Sequence, residues 1–83
     1  MVLVAHIIVD VPLMQTDRPY SYLVPEAMQE QIAIGMRVHV PFGKGNRLLQ
    51  GFIIGLEEQG NLRDFPELKP IAELLDYEPV LNQ

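Results

Sequence analysis

Apolar and polar residues alternate most regularly between Gly35 and Gly55. Met36, Val38 and Val40 interleave with Arg37 and His39, the period of two expected of a strand with one face buried and one face wet. A second run, Leu48 to Leu56, puts Leu48, Gln50, Phe52, Ile54 and Leu56 on one face. Leu49, Gly51, Ile53 and Gly55 take the other. Between the runs, Gly43-Lys44-Gly45-Asn46 offers residues that tolerate positive φ, so the chain is expected to fold back there as a hairpin. Pro41 has no amide proton for a ladder, which predicts that it sits where the first strand leaves the sheet.

The flanking segments read as shorter pieces around that hairpin. Val2 to Val9 is almost uniformly apolar and rich in Val and Ile, which predicts a strand covered on both faces and ended by Asp10-Val11-Pro12. Met14 to Pro19 reads as an exposed loop. Tyr20 to Val24 is a short strand with Tyr20, Tyr22 and Val24 on one face and Ser21 and Leu23 on the other. Pro25-Glu26 begins one or two helical turns, with Met28 and Ile32 four apart on one face and Gly35 as the stop. Glu57 to Asp64 is a polar turn. Ile71 to Leu75 is a last strand entered through Lys69-Pro70, and Tyr77-Glu78-Pro79 reads as an exit linker.

Roughly five or six short strands and at most a stub of helix indicate an all-β fold, a small closed β-barrel over residues 1–76. Closure would hide edge strands that invite aggregation. Residues 77–83 are expected to begin a linker.

Composition narrows the class. The chain has 83 residues, enough for one small domain that buries only roughly 60–65% of its unfolded surface. With 48% hydrophobic residues it is apolar enough to fold. It has no cysteine and two histidines far apart, so neither a disulfide framework nor a structural zinc site is expected. That usage fits a reducing cytoplasm. The apolar start lacks a basic n-region and a small-residue cleavage site, so it reads as a buried strand and not a signal peptide. No membrane span is expected.

The net charge is −5, which argues against a general nucleic-acid coat. Its distribution changes the picture. Between Glu30 and Glu57 there is no acid, whereas Arg37, Lys44 and Arg47 all fall there. The hairpin is therefore a cationic patch on an acidic body, either a solvated face or an anion-binding one.

Enzymatic constellations are missing: no P-loop, dinucleotide fingerprint or metal-ligand spacing appears. Ser21 has no evident base partner in the sequence. Glu57 and Glu58, if on a strand, point to opposite faces and form no acid–base pair there. A binding site is easier to build. Bases of single-stranded nucleic acid stack on rings while cations follow the backbone. Tyr20, Tyr22 and Phe42 are candidate rings, and Arg37, Lys44, Arg47 and Lys69 are candidate cations. The rival is a protein-interaction barrel whose aromatics are core.

The order of motifs sharpens this choice. Val-Ala-His-Ile-Ile-Val-Asp-Val-Pro-Leu, then Tyr20-Ser21-Tyr22-Leu23-Val24-Pro25-Glu26, resembles the start of the primosomal protein N′ family, bacterial replication-restart helicases. Gly35 to Gly43, Gly51-Phe52-Ile53-Ile54-Gly55, Leu68-Lys69, Leu74-Leu75-Asp76 and Glu78-Pro79-Val80 continue the likeness over nearly the whole chain.

The resemblance implies a barrel similar to a circularly permuted oligonucleotide-binding fold. It also implies capture of the 3′ end of the nascent leading strand at an arrested fork, with a free 3′-hydroxyl favoured. Its pocket residues fall on Tyr20, Ser21, Tyr22, Gly43 and Lys69, with Arg37, Lys44 and Arg47 as auxiliary phosphate contacts. The family often has aspartate where this chain has Ser21. Either contacts to the terminal base are looser here or Asp17 substitutes.

The implied partners are a single-stranded 3′ end or forked DNA and the helicase domains of a parent chain. No catalytic residue, metal or cofactor is expected in this fragment, which is expected to be monomeric. ATP hydrolysis, zinc binding and 3′-to-5′ unwinding would belong to later parts of a cytoplasmic, nucleoid-associated parent.

Overall fold

The computed structural model describes residues 2–11, 18–60 and 68–76. It is all-β, with strands β1 (Val2–Val9), β2 (Tyr20–Leu23), β3 (Arg37–Phe42), β4 (Arg47–Gln59) and β5 (Glu73–Leu74). They form one antiparallel five-stranded sheet in the order β2-β1-β4-β3-β5. A single 3-10 turn at Glu26–Met28 follows Pro25, as the proline–acid pair predicts. The turn already ends at Met28 with Gln29 as its cap, so Gly35 is not the stop expected of it. Gly35 takes φ +97°, a conformation that favours glycine, just before β3. No helix among the described residues is long and apolar enough to cross a membrane.

The predicted hairpin is β3–β4. Its turn, Gly43–Asn46, is closed by the Asn46 amide donating to the Gly43 carbonyl at 3.2 Å, with positive φ at Gly43 and Asn46. Pro41 does not end the strand as expected: β3 runs on to Phe42, with Pro41 opposite Leu48. The missing amide proton is tolerated because β5 pairs β3 only at Val38 and His39, two residues earlier.

β4 is the spine, paired with β1 on one side and β3 on the other. Gly51 lies where all three meet, opposite both Val9 and Val38. A β-carbon there would stand 2.5 Å from Ile7 Cγ2 and 2.9 Å from the Ile8 carbonyl oxygen, so only glycine lets β1 come this close.

Strict alternation breaks further along β4. His6 pairs with Gly55 but Ile7 with Ile53, leaving Ile54 as an extra residue on β4. This bulge flips the inward face. Gly51 and Ile53 point into the core before it and Leu56 packs on the core after it, while Leu48, Phe52 and Ile54 stay exposed. The expectation that Leu56 shares the face of Leu48 and Phe52 is therefore corrected. The polar turn expected from Glu57 begins later, because Glu57, Glu58 and Gln59 still pair with Val4, Leu3 and Val2.

The core is continuous: Ala5, Ile7 and Val9 from β1, Tyr22 from β2, Met36, Val38 and Val40 at β3, Ile53 from β4, then Ile71 and Leu74. Burying such side chains contributes roughly 1.5–3 kcal/mol each before conformational entropy is set against it. β1 is not covered on both faces throughout, since His6 and Ile8 on its other side are only half-buried.

Strand pairing does not close the sheet, so the closed barrel is not what the ladders show. β5 spans two residues, and Pro70 beside it cannot donate to a ladder. One parallel bridge, Leu23 to Pro70, links the two edges. The Leu23 amide donates to the Lys69 carbonyl at 2.9 Å, and the Ile71 amide to the Leu23 carbonyl at 3.0 Å. The linker expected over 77–83, the loop residues through Asp17, and the Gly60-Asn61 turn beyond Gly60 lie outside the described residues.

Candidate functional site

That bridge has a local consequence. It brings the Leu68-Lys69 segment against the start of β2 and the end of β3, and the three border an open cavity of about 420 Å³. Tyr20, Ser21, Tyr22, Gly43 and Lys69 all line it, together with Pro41, Phe42 and Leu68. Volumes of about 300–1,000 Å³ are usual for small-molecule sites.

Each wall is fixed by a bond. The Tyr22 hydroxyl donates to the Pro41 carbonyl at 2.8 Å, and Lys69 Nζ donates to the Gly43 carbonyl at 3.0 Å. The Lys69 carbonyl accepts from Leu23. Tyr20 meets Phe42 edge to face, with ring centroids 5.1 Å apart at 85°. Such pairs add about 0.5–1.5 kcal/mol beyond burial and hold both rings at the cavity mouth.

The three candidate rings do not play one part. Tyr20 and Phe42 are half-buried and keep surface at the cavity. Tyr22 is 4% exposed and belongs to the core. Burial, and then the neighbouring Tyr20, raise its phenol above the ordinary value. That burial leaves little ring surface on which a base could stack.

The cations separate as well. Lys69 lines the cavity, and its bond to Gly43 uses one of the three ammonium protons. Lys44 and Arg47 lie on a second concave surface of about 360 Å³ that shares Phe42 and Gly43 with the first. Arg37 stands elsewhere. Its Nη2 and Nε donate to Asp76 at 2.9 and 3.3 Å and its amide adds a third bond at 2.9 Å. The bonds from the Arg37 side chain and then its amide hold the Asp76 carboxyl below the ordinary value.

Gly43 has its own reason to be glycine. Nothing lies within 4 Å of a β-carbon built there, so packing does not demand it, but φ +76° does. Its bare surface faces open space at the junction of the two concavities.

Ser21 has a base partner after all, contrary to the sequence reading. His6 Nδ1 lies 3.2 Å from Ser21 Oγ, and His6 Nε2 lies 3.0 Å from Glu57 Oε1. The pairing of His6 with Ser21 across β1 and β2 makes the contact. A lone polar residue at position 6 of an otherwise apolar strand was the available signal, but its partner depends on register.

Residues 6–83 match the family model described as the 3′DNA-binding domain (3′BD). A relative from Bacillus subtilis (strain 168), named Replication restart protein PriA, is 40% identical over 79 residues. The match covers 95% of this chain and 9% of that protein, so the chain spans about a tenth of the curated relative's length. With nearly all of its length matched by the family model, the chain belongs to the 3′DNA-binding domain (3′BD) family.

Proposed function

We propose that this domain holds the 3′-terminal nucleotide of single-stranded DNA in the cavity between β2, the β3–β4 turn and Lys69. The observation that carries the reading is the convergence of three separate stretches, Tyr20-Ser21-Tyr22, Gly43 and Lys69, on one cavity of about 420 Å³. Tyr20 and Phe42 supply ring surface for a base. Lys69 supplies a cation, and Ser21 a hydroxyl. Lys44 and Arg47, on the adjoining concave surface, are suited to the phosphates that precede the terminal residue. Arg37 is left out of that role because Asp76 occupies its guanidinium.

In this reading the parent is a replication-restart protein with an ATP-dependent helicase engine, acting in the bacterial cytoplasm near the nucleoid. The domain captures the leading-strand 3′ end at an arrested fork. The Leu23–Pro70 bridge serves as the seam of a barrel related to a permuted oligonucleotide-binding fold.

The test titrates one oligonucleotide, ended by a 3′-hydroxyl or by a 3′-phosphate, at a single salt concentration. The hydroxyl end is expected to bind more tightly, because a terminal phosphate brings added charge against a mostly apolar wall. Ser21→Asp is expected to tighten binding of the hydroxyl end by about 1 kcal/mol, the scale of a charge-assisted hydrogen bond, and to leave the phosphate end weak. Equal affinity of the wild-type domain for the two ends rejects the terminal pocket. That result would favour the rival protein-interaction reading, for which Leu48, Phe52 and Ile54 are an exposed apolar surface.

A further inference from the structure

One chain of hydrogen bonds crosses three strands and ends at the cavity. Glu57 on β4 bonds His6 on β1, and His6 bonds Ser21 on β2. Ser21 lines the cavity, whereas His6 and Glu57 do not. We propose that His6 is a positioning residue that fixes the direction of the Ser21 hydroxyl, so that Ser21 faces the terminal nucleoside as a hydrogen-bond acceptor. The inference rests on the reading of the cavity as a site for a strand terminus.

The direction follows from the far end of the chain. A carboxylate only accepts, so the His6 nitrogen beside Glu57, Nε2, carries the proton. The carboxylate is itself held by a second donor, Gln59 Nε2 at 2.8 Å. A neutral imidazole with Nε2 protonated has a bare Nδ1, and that lone pair takes the only proton of the Ser21 hydroxyl. The oxygen lone pairs are then left for the cavity. A serine free to rotate would divide its time between donating and accepting. A serine locked this way mimics, without charge, the acceptor character of a carboxylate.

The ring is also held in place by shape. A β-carbon at Gly55, the residue paired with His6 across β1 and β4, would come within 3.3 Å of His6 Cδ2. Glycine at that position lets the imidazole lie close against the β4 backbone. The elements packed on the ring thus present Ser21 from β2, and Gly55 and the charged Glu57 from β4.

The device has a pH signature opposite to simple electrostatics. A protonated His6 donates from both nitrogens, so Nδ1 gives a proton to Ser21 Oγ and turns the hydroxyl proton outward. Ser21 then presents one lone pair and a free O–H in place of two lone pairs, so its fixed acceptor character is lost. A new cation near DNA would by itself strengthen binding of any anionic strand, whereas loss of the acceptor weakens it.

The first test needs no DNA. Nitrogen NMR of the histidine-labelled 83-residue chain is expected to show His6 with Nε2 protonated and Nδ1 bare at high pH; the opposite tautomer overturns the inference. The second follows an oligothymidine 3′-hydroxyl end by fluorescence anisotropy from about pH 8 to about pH 5, where histidine takes up its proton. Wild-type affinity is expected to fall about fivefold, the size of one hydrogen bond. His6→Ala is expected to start about fivefold weaker and to show a flat profile over that range. Glu57→Gln is expected to weaken the preference for the tautomer with Nε2 protonated, since an amide can donate to Nε2 as well as accept from it. His39→Gln is expected to keep the wild-type profile.

A terminus lacking the 3′-hydroxyl identifies the donor. Loss of the His6 effect with it assigns the sugar hydroxyl, and retention assigns a base N–H. If the hydroxyl end is preferred over the phosphate end but His6→Ala matches wild type at every pH, the positioning role falls and the pocket stands. If neither protein prefers the hydroxyl end, the pocket reading falls and takes this inference with it.

Discussion

The two ends of β3 carry the same kind of residue to opposite effect. At one end Arg37 is bound three times by Asp76, and its charge is cancelled by a carboxylate. At the other, Lys69 reaches the turn after Phe42 and, among the described residues, bonds only a backbone carbonyl, that of Gly43. A carbonyl fixes the ammonium without neutralising it. The first cation therefore staples the β5 segment to the sheet edge, and the second remains available to an anion beside a cavity. Position in a basic patch does not make a site; the partner of each cation decides.

Both ends depend on β4 lying flush against β1, and the largest expected effect tests that shared base. Gly51→Ala puts a methyl against Ile7 and against the Ile8 backbone, which cannot swing aside as a side-chain tip could. Overpacking of this kind costs about 1–3 kcal/mol, or roughly 5–20 °C in melting temperature for a domain of this size. Circular-dichroism melting checks it. An unchanged melting temperature would mean that β1 and β4 do not approach as closely as the pairing requires.

A smaller pair of changes separates the two ends directly. Lys69→Ala is expected to weaken DNA binding about tenfold while leaving the fold within ~1 kcal/mol of wild type, because it removes one exposed tie and one cation beside the cavity. Arg37→Ala is expected to leave DNA binding unchanged and to loosen the β5 edge.

The same contrast appears against pH. The folded-state pKa of Asp76 is depressed below its ordinary 3.8, so the stability it contributes is present above that value and is lost as pH falls below it. Acid unfolding monitored at several pH values should show this loss in full in wild type and in reduced form in Arg37→Ala, whose residue-37 amide still donates to Asp76. Equal acid sensitivity of the two proteins would remove Arg37 from its stapling role.

Much of this fold was legible in the chain, and the reasons are local. Alternation from Met36 to Val40 and the glycines after Phe42 specify a hairpin without outside help, since period and turn chemistry are properties of neighbours. The bulge at Ile54 was not legible. An extra residue is defined only against a partner strand, and β1 lies nearly fifty residues upstream, roughly half the chain length away. The same holds for Arg37 and Asp76, which are 39 residues apart, and for His6 and Ser21, which meet through a register that neither residue announces.

The candidate site stands between these cases. Tyr20, Ser21, Tyr22, Gly43 and Lys69 were grouped by resemblance and not by spacing, and their meeting at one cavity depends on a single parallel bridge at Pro70. The open order of the strands was not legible either. A two-residue β5 looks in sequence like a longer strand, because Ile71 and Leu75 share its apolar character.

The smallest expected effect sharpens the comparison at the level of counted charges. Single-stranded nucleic acid releases ~0.7 counterion per neutralised phosphate, so three cations give a log–log salt slope of about −2. The three are Lys44, Arg47 and Lys69, which line the two adjoining concavities, whereas Arg37 lines neither. Arg37→Gln should accordingly leave the slope unchanged. Changing Lys44 and Arg47 together to Gln should bring it to about −0.7, the share of Lys69 alone. Anisotropy titrations of the 3′-hydroxyl strand at several salt concentrations measure it. A slope that responds to Arg37 would mean that Asp76 releases the guanidinium when DNA arrives, and the difference between the two ends of β3 would then belong to the free protein only.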